Sequence, residues 1–79
     1  MTDPTAPGPL AATAALMADP ARARMLAALM GGEALTAGEL ARVAGVTAAT
    51  ASGHLARLAD GGLVHVHAQG RHRYHRSAR

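Results

Sequence analysis

The sequence contains no cysteine, no lysine, no tryptophan and no phenylalanine, and Tyr74 is its single tyrosine. The absence of cysteine excludes a disulfide framework, a thiolate metal site and a cysteine nucleophile. No apolar run approaches the roughly 20 residues that a membrane-spanning helix needs, and the N-terminus lacks the basic-then-apolar order of a signal peptide. We therefore expect a soluble, cytoplasmic protein with no membrane partner.

Features of catalytic sites are missing as well. No pair of carboxylates falls on one predicted face, and no glycine-rich phosphate loop follows a predicted strand. Ser52 and His54 stand two residues apart on a predicted helix, where their side chains point in different directions. The sequence therefore predicts a protein that is not an enzyme and that carries no cofactor.

Charge is unevenly distributed along a chain of 79 residues, which is long enough for one small domain. Residues 1–53 carry three arginines against four carboxylates, a net charge of −1, whereas residues 54–79 carry five arginines against one carboxylate, a net charge of +4. All five histidines also lie in this last part. A polyanion is therefore expected to dock there.

The first third of the chain predicts a disordered segment and two helices. Residues 1–9 hold three prolines and a glycine, which favours disorder. An alanine-rich helix is expected over residues 10–18, with its packed side formed by Leu10, Thr13, Ala14 and Met17. Asp19-Pro20 starts a second helix, which ends near Met30 before two glycines. Its buried residues are expected to be Met25, Leu26, Leu29 and Met30.

The middle third predicts a helix-turn-helix after a brief extended link over residues 33–35. Thr36 and Glu39 have the spacing of a capping box, so a helix begins there and stops near Gly45. The residues expected to face inward on it are Leu40, Val43 and Ala44. Thr47 is a good N-cap for a longer helix that reaches about Ala59. Its buried stripe is expected to be Ala51, Leu55 and Leu58.

The basic third predicts a β-hairpin. Along residues 63–67, β-branched side chains occupy every second position, as in a strand. Gln69-Gly70 is a plausible two-residue turn, after which residues 71–76 form the antiparallel return strand. The predicted class is thus mainly α with a small β-hairpin, in the order α-α-β-α-α-β-β.

Five segments, in this order and spacing, resemble the ArsR family of winged helix-turn-helix repressors. They are residues 18–26 (ADPARARML), 35–41 (LTAGELA), 46–58 (VTAATASGHLARL), 61–64 (GGLV) and 70–74 (GRHRY). The resemblance covers roughly residues 10–76 and implies a winged helix-turn-helix domain over residues 10–79. It also implies that a recognition helix, about 47–59, lies in the DNA major groove. A hairpin wing, about 63–76, would lie along the backbone or in the minor groove.

The sequence departs from the family pattern at three points. The family usually has a long basic or polar side chain where Gly53 stands. Most members continue past the wing with a helix that pairs with the first helix to dimerise, whereas this chain stops at Arg79. We expect either a fragment of a longer protein or a minimal form that self-associates weakly. Metal-sensing members place cysteines, or acidic and histidine ligands, at positions that have no counterpart here, so no metal-sensor role is inherited.

The predicted function is sequence-specific binding of double-stranded DNA by a transcriptional regulator, expected to be a repressor. The candidate DNA contacts on the recognition helix are Thr47, Ala48, Ala49, Thr50, Ser52, Gly53, His54 and Arg57. Arg71 and Arg73 stand at the hairpin tip, where cations reach phosphates or a narrow minor groove. Thr47 also serves as an N-cap, and His54 is either a phosphate contact, as the family's Ser-x-His-Leu pattern implies, or a structural residue. Arg22 is expected to act mainly in the structure.

The predicted partner besides DNA is a second copy of the chain, with a dimer formed through residues 10–18 and a C-terminal element that the sequence lacks. Two alternatives remain open. The same fold can serve as a protein-interaction module that uses residues 10–18. The wing histidines, which are His65, His67, His72 and His75, could instead form a metal-responsive site, with His67 facing His72 and His65 facing Tyr74.

Overall fold

A computed structural model describes residues 8–78 of the chain. Its elements are α1 (Pro9–Met17), α2 (Pro20–Leu29), β1 (Leu35–Thr36), α3 (Ala37–Ala44), α4 (Ala48–Asp60), β2 (Val64–Gln69) and β3 (His72–Ser77). The predicted class and element order are confirmed. The predicted disordered segment falls outside the described residues except for Gly8 and Pro9, and Pro9 already belongs to α1.

Side-chain caps explain where three of the helices begin. The Asp19 Oδ1 atom accepts hydrogen bonds from the backbone N–H groups of Ala21 and Arg22, at 2.8 and 3.2 Å, at the start of α2. At the start of α3, the Thr36 hydroxyl accepts from the Glu39 N–H at 3.2 Å, and the Glu39 carboxylate accepts from the Thr36 N–H at 3.0 Å. This is the predicted capping box. The third cap, at the start of α4, belongs to the candidate interface and is described with it.

The three strands form an antiparallel sheet in the order β1-β3-β2. The hairpin turn consists of Gly70 and Arg71, because Gln69 pairs with His72. The predicted turn, Gln69-Gly70, was therefore wrong by one residue. Gly70 has a φ of +62°, while no residue other than glycine within residues 8–78 has a positive φ. A two-residue type II′ turn needs a positive φ at its first central position, which places the glycine first and Arg71 second.

The core lies between α2, α3, α4 and the start of the hairpin. Its buried residues are Met25, Leu26, Leu29, Leu40, Ala41, Ala44, Ala51, Leu55, Leu58 and Val64. The predicted stripe of α4 is confirmed in full. Two other predicted core residues were wrong, since Met30 is 74% exposed and Val43 is 50% exposed. Met30 is the C-cap residue, beyond the last turn of α2. On α3, Ala41 is buried instead of Val43, because this helix packs between α2 and α4.

The predicted packed side of α1 was also wrong. Leu10 is 83% exposed and Met17 is 47% exposed, whereas Leu16 packs against the core. Leu16 contacts the position where a Cβ on Gly61 would stand, so a larger residue at position 61 would require the Leu16 side chain to move. The first helix therefore joins the domain mainly through its last turn. None of the helices within residues 8–78 has the length and apolar character needed to cross a membrane.

Candidate nucleic-acid interface

Helix α4 presents a face of short side chains opposite its buried stripe. The predicted contact residues that lie exposed in this helix and at its N-cap are Thr47, Ala48, Ala49, Thr50, Ser52, Gly53 and Arg57. Ala56 is exposed as well and was not among the predicted contacts, although it lies one turn after Ser52 and so shares its side of the helix. Because most of these residues are small, the backbone of α4 can approach another surface closely.

The N-terminus of α4 has a defined hydrogen-bond pattern. The Thr47 hydroxyl accepts a hydrogen bond from the Thr50 N–H at 3.1 Å and donates one to the Thr50 hydroxyl at 3.0 Å. The predicted N-cap role of Thr47 is confirmed. Since the Thr50 oxygen accepts within this pair, its own proton is left to donate outward.

His54 faces the protein and not the open side of α4. Its Nδ1 atom lies 3.4 Å from the Arg22 Nη1 atom, and its Nε2 atom lies 3.8 Å from the Asp19 Oδ1 atom. A guanidinium can only donate, so Nδ1 is the acceptor in this contact. His54 of α4 thus contacts two side chains at the start of α2, which favours the structural role of the two that were predicted.

Arg22 also links the start of α2 to the end of α1. The Arg22 Nε atom donates to the Leu16 carbonyl oxygen at 2.7 Å, and its Nη2 atom donates to the Ala15 carbonyl oxygen at 3.4 Å. The hydrogen bond from the Arg22 backbone N–H lowers the pKa of Asp19 below its usual value, and the hydrogen bond from the Ala21 N–H and the charge of Arg22 add to this effect. Arg22 therefore binds the end of α1, and its role is structural, as expected.

The two faces of the hairpin carry different residues. The pairing places Val64, Val66 and Ala68 opposite Ser77, His75 and Arg73 on the face that meets the core. The other face carries His65, His67, Gln69, His72, Tyr74 and Arg76. Arg71 is exposed at the tip and Arg73 is exposed on the face toward α4. The two predicted wing contacts thus lie close together in sequence, but Arg71 belongs to the turn and Arg73 to the face toward α4.

The wing histidines do not adopt the predicted arrangement. His67 pairs with Tyr74 and His65 with Arg76, because the turn lies one residue later than predicted. The His67 and Tyr74 rings are stacked with centroids 5.9 Å apart. His75 lies on the opposite face and is buried. No group of three or more acidic, histidine or cysteine side chains within residues 8–78 could hold a metal ion.

A groove between α4 and the wing brings two predicted contact residues together. It encloses about 200 Å³, with Ser52 of α4 on one side and Arg73 of β3 on the other. The remaining lining includes Leu55, Ala56, Val66 and His75. No carboxylate among residues 8–78 forms an ion pair with Arg71 or Arg73. The open side of α4 and the tip of the wing therefore form one surface with unpaired positive charge.

Comparisons with known proteins agree with this geometry. The helix-turn-helix domain family matches residues 17–67. The chain is 44% identical over 69 residues to the uncharacterized HTH-type transcriptional regulator YdfF of Bacillus subtilis, covering 87% of this chain and 30% of YdfF. It is 44% identical over 48 residues to the HTH-type transcriptional regulator YgaV of Escherichia coli, covering 61% of this chain and 48% of YgaV. The chain thus spans less than half the length of these curated relatives.

A solved structure has the same fold. The homodimeric winged helix-turn-helix DNA-binding domain of Mb0332 from Mycobacterium bovis, a possible ArsR-family transcriptional regulator, superposes with a TM-score of 0.80 at 28% identity. The superposition covers 90% of this chain and 65% of that one. The chain therefore belongs to the helix-turn-helix domain family, as an ArsR-like winged helix-turn-helix protein.

Proposed function

We propose that this chain is the DNA-binding part of a transcriptional regulator, with α4 in the major groove and the wing on the backbone or in the minor groove. The observation that carries the proposal is the surface shared by α4 and the wing, where Arg71 and Arg73 have no acidic partner within residues 8–78. Unpaired arginines beside a helix with an open, small-residue face fit the charge and shape of duplex DNA.

Within this arrangement, the first two turns of α4 read base edges. The Thr50 hydroxyl and the Ser52 hydroxyl can donate to base acceptors or phosphates, and the methyl groups of Ala48 and Ala49 can contact thymine methyls. Gly53 has open space where a Cβ would stand, so it places no side chain between α4 and the DNA major groove. Arg57 extends the positive surface toward the C-terminal end of α4. These short side chains supply sequence preference, and the wing arginines supply affinity.

The functional unit that we propose is a homodimer that binds a pseudo-palindromic site, with half-sites about one helical turn apart. Support comes from the homodimeric state of the Mb0332 domain and from the exposed Leu10 and Met17 of α1. The unit acts by binding, without catalysis, and it works in the cytoplasm, where bacterial DNA lies. Repression is the expected effect on transcription.

The test is the salt dependence of DNA binding. A random-sequence duplex is titrated with the chain and with the R71Q/R73Q double variant over a range of salt concentrations. Each phosphate contact contributes about 0.9 to the slope of log K against log salt. The double variant is therefore expected to bind more weakly and to lower the slope by about 1.8 per protomer.

The control is R24Q, which removes one arginine charge from an exposed position on α2, half of what the double variant removes. It is expected to lower the slope far less than the double variant does. Equal slopes for the double variant and R24Q would remove the wing from the interface, and no binding by the unmodified chain at low salt would contradict the proposed function.

A further inference from the structure

The groove between α4 and the wing contains a buried histidine that the proposed DNA contacts leave unused. His75 is 7% exposed, and its Nδ1 atom lies 3.1 Å from the Leu35 carbonyl oxygen. A carbonyl oxygen only accepts, so Nδ1 carries a proton, and the Nδ1–H tautomer of the ring has a lone pair on Nε2. Nε2 has no hydrogen-bond partner among residues 8–78, and because no buried side-chain nitrogen or oxygen in that range lacks a partner, Nε2 must be open to the solvent of the groove. An acceptor on such a largely buried ring is usually satisfied by a protein group, a water or a ligand.

The rest of the groove has a complementary set of polar groups above an apolar floor. Arg73 contributes a guanidinium that has no acidic partner in the described part of the chain, and Ser52 contributes a hydroxyl across the groove from it. Leu55, Ala56 and Val66 provide apolar surface beside them. The groove thus combines a cation, a hydroxyl and an imidazole acceptor, and the residues that line it include no carboxylate.

From this combination we propose that the groove binds a small hydroxy-carboxylate with an apolar body. The ligand carboxylate accepts hydrogen bonds from Arg73 and Ser52, and its hydroxyl donates to the Nε2 atom of His75. The apolar part of the ligand covers Ala56 and Val66. A volume of about 200 Å³ lies below the roughly 300–1,000 Å³ of pockets for drug-sized ligands, so the ligand is small.

Binding there has a regulatory consequence, which rests on the proposed function. Ser52 and Arg73 belong to the surface that we assign to DNA, so a ligand between them occupies space that the duplex needs. Ligand and DNA then exclude each other directly, and no movement of the fold is required. The ligand acts as an inducer by competition at the interface.

The binding test uses 4-hydroxybenzoate as the probe, with benzoate and 4-hydroxybenzamide as matched compounds that lack the hydroxyl or the negative charge. Chemical shifts of the Ser52 and Arg73 amides and of the His75 ring are followed by NMR during titration of the 79-residue chain. We expect saturable shifts at these three residues. Loss of one hydrogen bond or of the charge is expected to weaken binding by about tenfold or more.

Three variants identify the groups responsible. H75N keeps an amide N–H that can donate to the Leu35 carbonyl oxygen and removes Nε2, so it is expected to bind 4-hydroxybenzoate no better than benzoate. S52A and R73Q change exposed positions and leave the core intact. Both are expected to weaken the binding of 4-hydroxybenzoate and of benzoate, because each removes a donor to the ligand carboxylate. R76Q, on the other face of the hairpin, is the control and is expected to bind normally.

Three results would overturn the inference. They are the absence of saturable shifts, equal binding of 4-hydroxybenzoate and 4-hydroxybenzamide, and an H75N variant that keeps the full preference for the hydroxyl. A competition titration with duplex DNA separates this inference from the proposed function. DNA binding without ligand binding refutes the groove site alone, whereas ligand binding without DNA binding refutes the proposed function alone.

Discussion

The helices and the wing of this protein contrast in what they bury and what they expose. Nine of the ten apolar core residues in the described part of the chain come from α2, α3 and α4, and Val64 is the contribution of the hairpin. The remaining residues of the two long strands are exposed or half-buried, apart from His75. Arginines and histidines are instead concentrated in the wing, at six of the twelve strand positions and at turn position 71.

This difference indicates that stability and electrostatics are assigned to separate parts of a very small domain. A hairpin that buries little apolar area contributes little to the free energy of unfolding. Its residues can therefore be changed to suit a polyanion without loss of the fold. The helices, in contrast, must keep their apolar pattern, and only the open face of α4 remains variable.

The strongest test of this contrast is a pair of truncations. Leu58 of α4 is fully buried, so L58A is expected to lower the free energy of unfolding by about 2–5 kcal/mol. Val66 of β2 is 36% exposed, so V66A is expected to cost only about 1 kcal/mol. Urea unfolding followed by circular dichroism measures both. Similar losses for the two variants would show that the wing is as important to stability as the helices.

A second test applies one chemical change to both parts. Gly70 in the wing has a φ of +62°, so G70A is expected to destabilise the protein by about 1–2 kcal/mol. Gly53 lies within α4 with open space where a Cβ would stand, so G53A is expected to stabilise it by about 0.5–1 kcal/mol. The two variants should shift the urea midpoint in opposite directions. Shifts of the same sign would contradict the assigned turn or the helical position of Gly53.

The smallest expected effect is a loss of stability at low pH. It sharpens the contrast because the two carboxylates concerned, Asp19 and Glu39, cap helices and do not lie in the wing. The backbone hydrogen bond from Arg22 lowers the pKa of Asp19 below 3.8, and the one from Thr36 lowers the pKa of Glu39 below 4.5. A lowered pKa in the folded state means that each carboxylate stabilises the protein above its unfolded pKa. This stabilisation is lost as the pH falls through the folded pKa. The melting temperature should therefore decline below about pH 4.5.

The control for the acid effect is D19N. Asparagine caps helices about as well as aspartate does and does not titrate, so the variant should lose part of the decline while it remains folded at neutral pH. A decline that is identical in D19N and in the unmodified chain would show that Asp19 contributes nothing to it.

Local signals in the sequence predicted most of the secondary structure. The cap residues Asp19, Thr36 and Thr47 each act through contacts within three residues, and each was predicted at its observed position. The spacing of Ala51, Leu55 and Leu58 also predicted the buried side of α4, and thereby its open side. These features depend on short-range hydrogen bonds and on helical periodicity, which a single sequence displays directly.

The hairpin register and two helix faces could not be read in this way. From the sequence, Gln69-Gly70 and Gly70-Arg71 are both plausible two-residue turns. The structure has the second one, and in it β3 pairs with β1 as well as with β2. In α1, alanines surround Leu10, Leu16 and Met17, so periodicity alone does not select the packed residue. That choice depends on tertiary packing, in which Leu16 lies against the core and beside Gly61.

The sequence by itself determined the helix starts, the buried stripe of α4 and the basic character of the C-terminal third, because each depends on residue type and short-range spacing. The tertiary structure decided that His54 of α4 contacts the start of α2 and that Arg73, Ser52 and His75 border one groove. Those relations bring together separate elements of the chain, and His54 and Arg22, for example, stand 32 positions apart. They exist only once the helices and the hairpin have packed against one another.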